Sequence, residues 1–334
     1  MTNSIAAERM QLMEQILRLP ESDFEALSLA VFQYQVRNNP LYASYLKLLG
    51  VEPAQIKDLS QIPYLPIQFF KTHAIKSGNW STAVEFSSSG TTGITTSVHH
   101  VRSLGWYRMI AQKGFETIYG PLEKYCVLAL LPAYLERQGS SLVFMVDDFI
   151  RRSAYSQSGF FLEEVEKMLQ IIQDCRANDI PVLLIGVSFA LWEMAEQYPQ
   201  DLSGIVIMET GGMKGRRREI TRQELHQIMK DAFHVSQIHS EYGMTELFSQ
   251  GYAPKEGQFI PAPTMRVMTR EITDPLSPGR LGRTGVLNII DLANLDTISF
   301  IATDDLGKVY ADGTFEVLGR LDASDVRGCN LLVL

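Results

Sequence analysis

The chain has 334 residues, 46% of them hydrophobic and 20% charged, with a net charge of −8. That length supports a buried core, and that charge excludes a binder held to nucleic acid by bulk electrostatics while leaving room for a local anion site. The three cysteines, Cys126, Cys175 and Cys329, form no CxxC or Cys/His cluster, which argues against structural zinc and a disulfide framework and for a reducing, cytoplasmic compartment.

Residues 5–49 read as helical. Met10, Met13, Ile16 and Leu17 recur at helix spacing, and Leu27, Leu29, Val31 and Phe32 do so less cleanly. Asn39–Pro40 breaks the pattern and starts another short helix. Pro63 and Pro66 make 62–70 an extended connector. The alternation of Ala83, Val84, Glu85 and Phe86 then runs into Ser87, Ser88, Ser89, Gly90, Thr91, Thr92 and Gly93. Beyond it, strands are expected at 125–131, 181–185, 205–208 and 235–239, alternating with helices at 162–175, 189–198 and 222–232. Such alternation indicates a layered α/β domain. After Phe248 the texture changes to short strands at 266–268, 286–290, 299–302 and 314–318. The expected fold is therefore α/β: a helical N-terminal region plus α/β core over 1–248, and a smaller β-rich lobe with a short tail over 249–334. No apolar run reaches membrane-spanning length, and the N-terminus lacks the apolar core of a signal peptide.

Three runs carry chemistry. In 87–93, glycines permit close backbone approach, so that N–H groups converge on phosphate oxygens, and hydroxyls add uncharged donors. No Gly-Lys-Ser/Thr follows Gly93, so this is not a Walker A loop, and a surface turn is the alternative. The second run is His239, Ser240, Glu241, Tyr242, Gly243, Met244, Thr245 and Glu246. Following a strand expected at 235–238, it belongs at a strand's C-terminal end, where open α/β sheets bind ligands. An aromatic ring can cover a nucleobase there, and Glu246 can hold Mg²⁺. The third run is Thr303, Asp304, Asp305, Leu306 and Gly307, followed by Leu318, Gly319, Arg320, Leu321 and Asp322. Asp304 suits two ribose hydroxyls, and Arg320 the same ribose or a phosphate. Turn or salt-bridge roles compete for each run taken singly.

Together and in this order the runs resemble the adenylate-forming superfamily of acyl- and aryl-CoA ligases. The resemblance implies ATP phosphates at the 87–93 loop, adenine and Mg²⁺ at Tyr242, Gly243, Thr245 and Glu246, and ribose at Thr303–Asp304 and Gly319–Arg320. Many members carry a Lys soon after the second glycine, whereas Ile94, Thr95 and Thr96 stand here. Lys71 and Lys214 are the candidates to replace its charge. Superfamily members also continue past Gly-Arg with a mobile C-terminal domain bearing a catalytic Lys, and only 321–334 follow here, so a fold lacking that domain is expected.

The tail 320–332, residues 132–137 with 140–143, and Phe70–Lys71–Thr72–His73 look like the acyl-protein synthetase (LuxE) family. This closer resemblance implies activation of a fatty acid as acyl-AMP, a thioester on a cysteine near the C-terminus, and transfer to a partner reductase. An acyl-carrier protein is another acceptor, and self-association is compatible. Cys329 matches the carrier position. Thiolate attack on an acyl-AMP is favourable chemistry, and Gly328 permits a turn that exposes the sulfur. The opposing reading is a buried thiol in a final apolar strand. Cys126, inside an apolar strand, and Cys175, late in a helix, read as structural. His99 and His100 alternate with Val98 and Val101 and read as strand residues, and His239 as a shaper of the pocket. The rival readings are a compact acyl- or aryl-CoA ligase and a non-catalytic nucleotide-binding subunit.

Overall fold

The computed structural model describes residues 2–88, 96–131, 139–161, 163–211, 220–255 and 257–321. Ser89, Gly90, Thr91, Thr92, Gly93, Lys214 and Cys329 lie outside the described residues. The chain divides into two compact units.

One unit takes in 86–88 and 103–262. At its centre is a seven-stranded sheet in the order Ile260–Pro261, Gly251–Ala253, His239–Tyr242, Val206–Thr210, Val182–Val187, Cys126–Leu130 and Gly159–Phe160. The last five in that order run parallel, and the Gly251–Ala253 and Ile260–Pro261 strands close the edge antiparallel. Cys126–Leu130 and Val182–Val187 are buried at every position, as parallel strands covered on both faces must be. Helix Arg222–Phe233 starts on a capping box: Thr221 and Glu224 each satisfy the other's backbone N–H. It ends on His234, left-handed at φ 53°.

That ending displaces one expected strand. Residues 235–238 form the exit from the helix, and the ladder begins only where His239 sits beside Met208. The strand is therefore His239–Tyr242 itself. The strands expected at 125–131, 181–185 and 205–208 are present, as are helices Val165–Ala177, Ser188–Gln197 and Arg222–Phe233. Helices Leu104–Tyr119 and Ser141–Arg152 were not foreseen.

The other unit takes in 2–85, 96–102 and 263–321. Its sheet is ordered Leu65–Pro66, Phe300–Val309, Gly285–Asp291, Met265–Arg270, with Phe315–Arg320 also on Phe300–Val309. The N-terminal helices Thr2–Leu17, Phe24–Asn38 and Pro40–Leu48 belong to this unit. Arg9 makes two 2.6 Å hydrogen bonds to Asp296. The Gln35 amide donates to the Asn294 and Leu295 carbonyls. The Phe32 ring meets Tyr42 and Phe300 edge-on, at 6.0 and 5.9 Å, contacts worth about 1 kcal/mol each beyond simple burial. These ties group the N-terminal helices with 263–321, whereas the sequence suggested grouping them with the α/β core and a boundary at 248. Among the described residues, no helix is long and apolar enough to cross a membrane.

Candidate active site

In the sheet-centred unit, the 239–246 run begins as the last parallel strand, His239–Tyr242, and leaves its C-terminal end at Gly243. Tyr242 is buried, its ring 5.9 Å from Phe259 and its hydroxyl 3.2 Å from the Met244 sulfur. Gly243 and Thr245 follow, and Glu246 is buried. A Cβ on Gly243 would lie 2.5 Å from Glu241 Oε1, so a larger residue there would have to push the Glu241 carboxyl aside. The Tyr107 ring lies 5.0 Å from Phe86, the residue before Ser87, and 5.2 Å from Phe248, two residues past Glu246. One aromatic side chain thus stands beside the entrance to the hydroxyl loop and the exit of the Tyr-Gly run. The Ser87 N–H is fixed by the Gly139 carbonyl at 2.8 Å.

Beneath the run lies a buried polar cluster that the sequence did not reveal. Glu209 accepts from Ser188 at 2.7 Å and from Arg222 at 3.2 Å, and stands 3.6 Å from His226. Burial pushes its carboxyl up, but His226, Arg222, Ser240 and Ser188 outweigh burial and hold it below the usual carboxylate value. One strand over, Glu241 accepts from the Thr210 hydroxyl. Burial pushes Glu241 up to about 7; the Thr210 bond resists and the Glu209 charge assists. His239, two residues earlier, bonds the Tyr119 hydroxyl at 3.1 Å. Burial, with repulsion from His226, lowers it to about 4.

In the other unit, Thr303, Asp304 and Asp305 lie inside a long strand rather than a turn. The structure separates the two carboxylates. Asp304 accepts from Gln68 Nε2 through both oxygens, at 2.7 and 2.8 Å. Asp305 receives Arg320 Nε at 3.2 Å and is its register partner. Successive strand residues point to opposite faces, so Arg320 shares a face with Asp305 and not with Asp304. A bulge brings this about. Gly307 pairs with Val317 and Leu306 with Gly319, leaving Leu318 as the extra residue. The Leu321 N–H bonds the Asp304 carbonyl at 2.7 Å. Lys71 is exposed on the short helix Phe69–Thr72, directly after Gln68, and makes no ion pair among the described residues. His99 is a buried core residue 3.0 Å from the Thr297 hydroxyl.

Asp305 could have been found from sequence only by knowing the strand register, and Glu209 and Glu241 only by knowing which strands are neighbours. Among the described residues, no group of three or more His, Cys, Asp or Glu is arranged to hold a metal ion. A single carboxylate such as Glu246 would need substrate phosphates and water to complete a Mg²⁺ shell, an arrangement usual for that ion.

A family model described as acyl-protein synthetase, LuxE, matches residues 20–334. A long-chain-fatty-acid–luciferin-component ligase from Vibrio harveyi is 23% identical over 324 residues, 90% of this chain and 84% of that protein. Among solved structures, an open conformation of 2-hydroxyisobutyryl-CoA ligase aligns with a TM-score of 0.64 at 13% identity, covering 91% of this chain and 71% of that one. ATP-bound MatB from Rhodopseudomonas palustris aligns with a TM-score of 0.53 at 15% identity, over 72% of this chain. The match takes in 48% of MatB, so the chain spans about half the length of that relative. These likenesses establish the adenylate-forming ligase fold.

Proposed function

Because the chain belongs to the LuxE acyl-protein synthetase family, we propose that it activates a fatty acid with ATP and carries the acyl group on Cys329 before passing it to a partner. A carboxylate oxygen of the acid attacks the α-phosphorus of ATP, pyrophosphate leaves, and acyl-AMP forms. The Cys329 sulfur, giving up its proton, then attacks the acyl carbon, and AMP leaves as the thioester forms. The mixed anhydride has a good leaving group, which suits it to capture by a thiol.

The observation that carries this reading is the family match over 20–334, and the site's geometry supports it. The Tyr-Gly run sits at the C-terminal edge of a parallel sheet, where nucleotides bind in such folds, and shares Tyr107 with the entrance to the hydroxyl loop. In this reading the 87–93 loop holds the phosphates, and Tyr242, Gly243 and Thr245 flank adenine. Asp304 was the expected ribose carboxylate, but the pairing of Arg320 with Asp305 favours Asp305. Lys71 and Lys214 supply positive charge. Mg²⁺, held by Glu246, neutralises phosphate charge when bound. The long-chain fatty acid in the Vibrio harveyi relative's name is the basis for the substrate class, and an acyl-accepting reductase or acyl-carrier protein is the recipient class.

The test is intact mass after incubation with ATP, Mg²⁺ and a panel of fatty, branched and aromatic acids. The expected result is one acyl adduct, released by hydroxylamine and absent in Cys329→Ser. Acyl-CoA formation with no protein adduct would replace this reading with a compact CoA ligase. Absence of pyrophosphate exchange with every acid would overturn adenylation itself.

A further inference from the structure

The buried Glu209 carboxylate takes no part in the proposed chemistry, yet its contacts reach the Tyr-Gly run by two routes, both inside the sheet-centred unit. The first crosses the sheet. Glu209 and Ser240 are register partners on adjacent strands. The Ser240 hydroxyl lies 3.4 Å from His226 Nε2, and that nitrogen stands 3.6 Å from the carboxylate. Ser240 is two residues before Tyr242 on the same strand.

The second route runs through Arg222. Its Nε donates to Glu209 at 3.2 Å, and its guanidinium carbon lies 5.1 Å from the centre of the Phe259 ring. A Cβ on Gly257 would stand 3.1 Å from Arg222 Cδ, so the chain at 257 closes tightly on the arginine's stem. Phe259 is fully buried, and its ring is 5.9 Å from that of Tyr242. A guanidinium can bond a carboxylate along its edge while its face lies on an aromatic ring; an ammonium has no such face.

We propose that Glu209 and Arg222 are positioning residues for the nucleotide: they hold Phe259, which sets the tilt of the Tyr242 ring, given that Tyr242 flanks adenine in the proposed reaction. The Tyr242 hydroxyl bonds the Met244 sulfur, and a thioether is a weak acceptor, so the neighbouring ring matters for that tilt. A buried ion pair adds little net stability, because desolvation offsets the attraction. The directional bonds of Glu209 and Arg222 instead fix where the guanidinium plane lies, and with it the ring against which that plane rests. Stacking between flat groups depends on such geometry.

The experiment measures acid-dependent pyrophosphate exchange and, by titration calorimetry without acid, the affinity for AMP. A parent protein that neither exchanges pyrophosphate nor binds AMP would overturn the nucleotide reading and this inference together. In Arg222→Met the KM for ATP should rise about five- to tenfold, part of what a base–aromatic stack is worth. The kcat and the KM for the acid should hold, as when ground and transition states lose the same contact. Affinity for AMP should fall by the same factor as the KM for ATP rises. Arg222→Lys should recover only part of the loss, and Glu209→Gln should resemble Arg222→Met. Made in a Tyr242→Leu background, Arg222→Met should add no further loss. Phe259→Leu repeats the test from the other end of the route should Arg222→Met fold poorly. In a parent that exchanges pyrophosphate or binds AMP, three results would overturn this inference alone. One is unchanged nucleotide affinity in Arg222→Met and Phe259→Leu. Another is a further loss of the same size in the Tyr242→Leu background. The third is a much larger loss for ATP than for AMP, which would make Arg222 a direct phosphate contact.

Discussion

Replacing Glu241 by glutamine should change how stability depends on pH. The carboxyl moves from an ordinary 4.5 to about 7 on folding, a preference for the neutral form worth about 3 kcal/mol. With the folded value raised, its stabilising share is full below 4.5, declines as pH rises, and is gone above 7. His239 works the other way. It falls from 6.5 to about 4, so the folded state gains about 3 kcal/mol as pH climbs through that window. Between 4.5 and 6.5 the two slopes oppose each other in the parent protein. Glutamine keeps an oxygen for the Thr210 hydroxyl and cannot ionise beside Glu209. The stability of Glu241→Gln minus that of the parent should therefore grow by about 3 kcal/mol from pH 4.5 to 7 and then level off. His239→Asn should show the opposite trend from pH 4 to 6.5, and the double variant should return to the parent's shape. Urea unfolding followed by tryptophan fluorescence, with Trp106 and Trp192 in the same unit, reads these differences. A difference curve that is flat across pH would refute the placement of Glu241 as a buried, neutral acid.

Asp305→Asn should weaken acid-dependent pyrophosphate exchange about tenfold or more, whereas Asp304→Asn should cost less, since charge-assisted bonds are worth about 1.5–3 kcal/mol and Arg320 accompanies Asp305. Equal losses, or a larger loss at Asp304, would return the ribose role to Asp304. Cys329→Ser should lose the hydroxylamine-sensitive adduct while retaining pyrophosphate exchange, and an adduct mapped to Cys126 or Cys175 would refute the carrier assignment. Gly186→Ala places a methyl 2.9 Å from Leu191 Cγ and 3.0 Å from the Leu130 carbonyl oxygen, so a loss of about 1–3 kcal/mol in urea unfolding is expected; an unchanged midpoint would mean the strand–helix junction yields freely.

The parallel strands were legible because burial on both faces leaves continuous apolar runs, as in Cys126–Leu130 and Val182–Val187. Helix Leu104–Tyr119 was obscured by Gly105 and Gly114, and the second is there for packing: a Cβ on Gly114 would approach Ala262 Cβ to 3.3 Å. Thr303–Gly307 looked like a turn because Asp and Gly favour turns, yet pairing on both sides extends the strand to Val309. The Ser/Gly/Thr and Tyr-Gly runs stood out because their composition is itself the signal. The Glu209–Glu241 cluster did not, because it comes from strands meeting across the sheet, and linear spacing carries no trace of which strands meet.

The bulge at Leu318 gives the Gly-Arg dipeptide a meaning apart from ligand contact. A β-ladder counts residues, and its parity decides which side chains look at each other. Without the extra residue, continuous pairing from Gly307–Val317 would set Arg320 opposite Asp304. With it, the partner is Asp305. Gly319, at φ +152°, stands in a backbone region where side chains are rarely tolerated, and Gly307 meets the opposite strand too closely for any Cβ. The two glycines thus act as a switch of parity, selecting one of two adjacent and chemically identical acids. A side chain introduced at Gly319 would strain the bulge, whereas drawing Leu318 into the ladder would restore the even count and turn the arginine toward the other carboxylate.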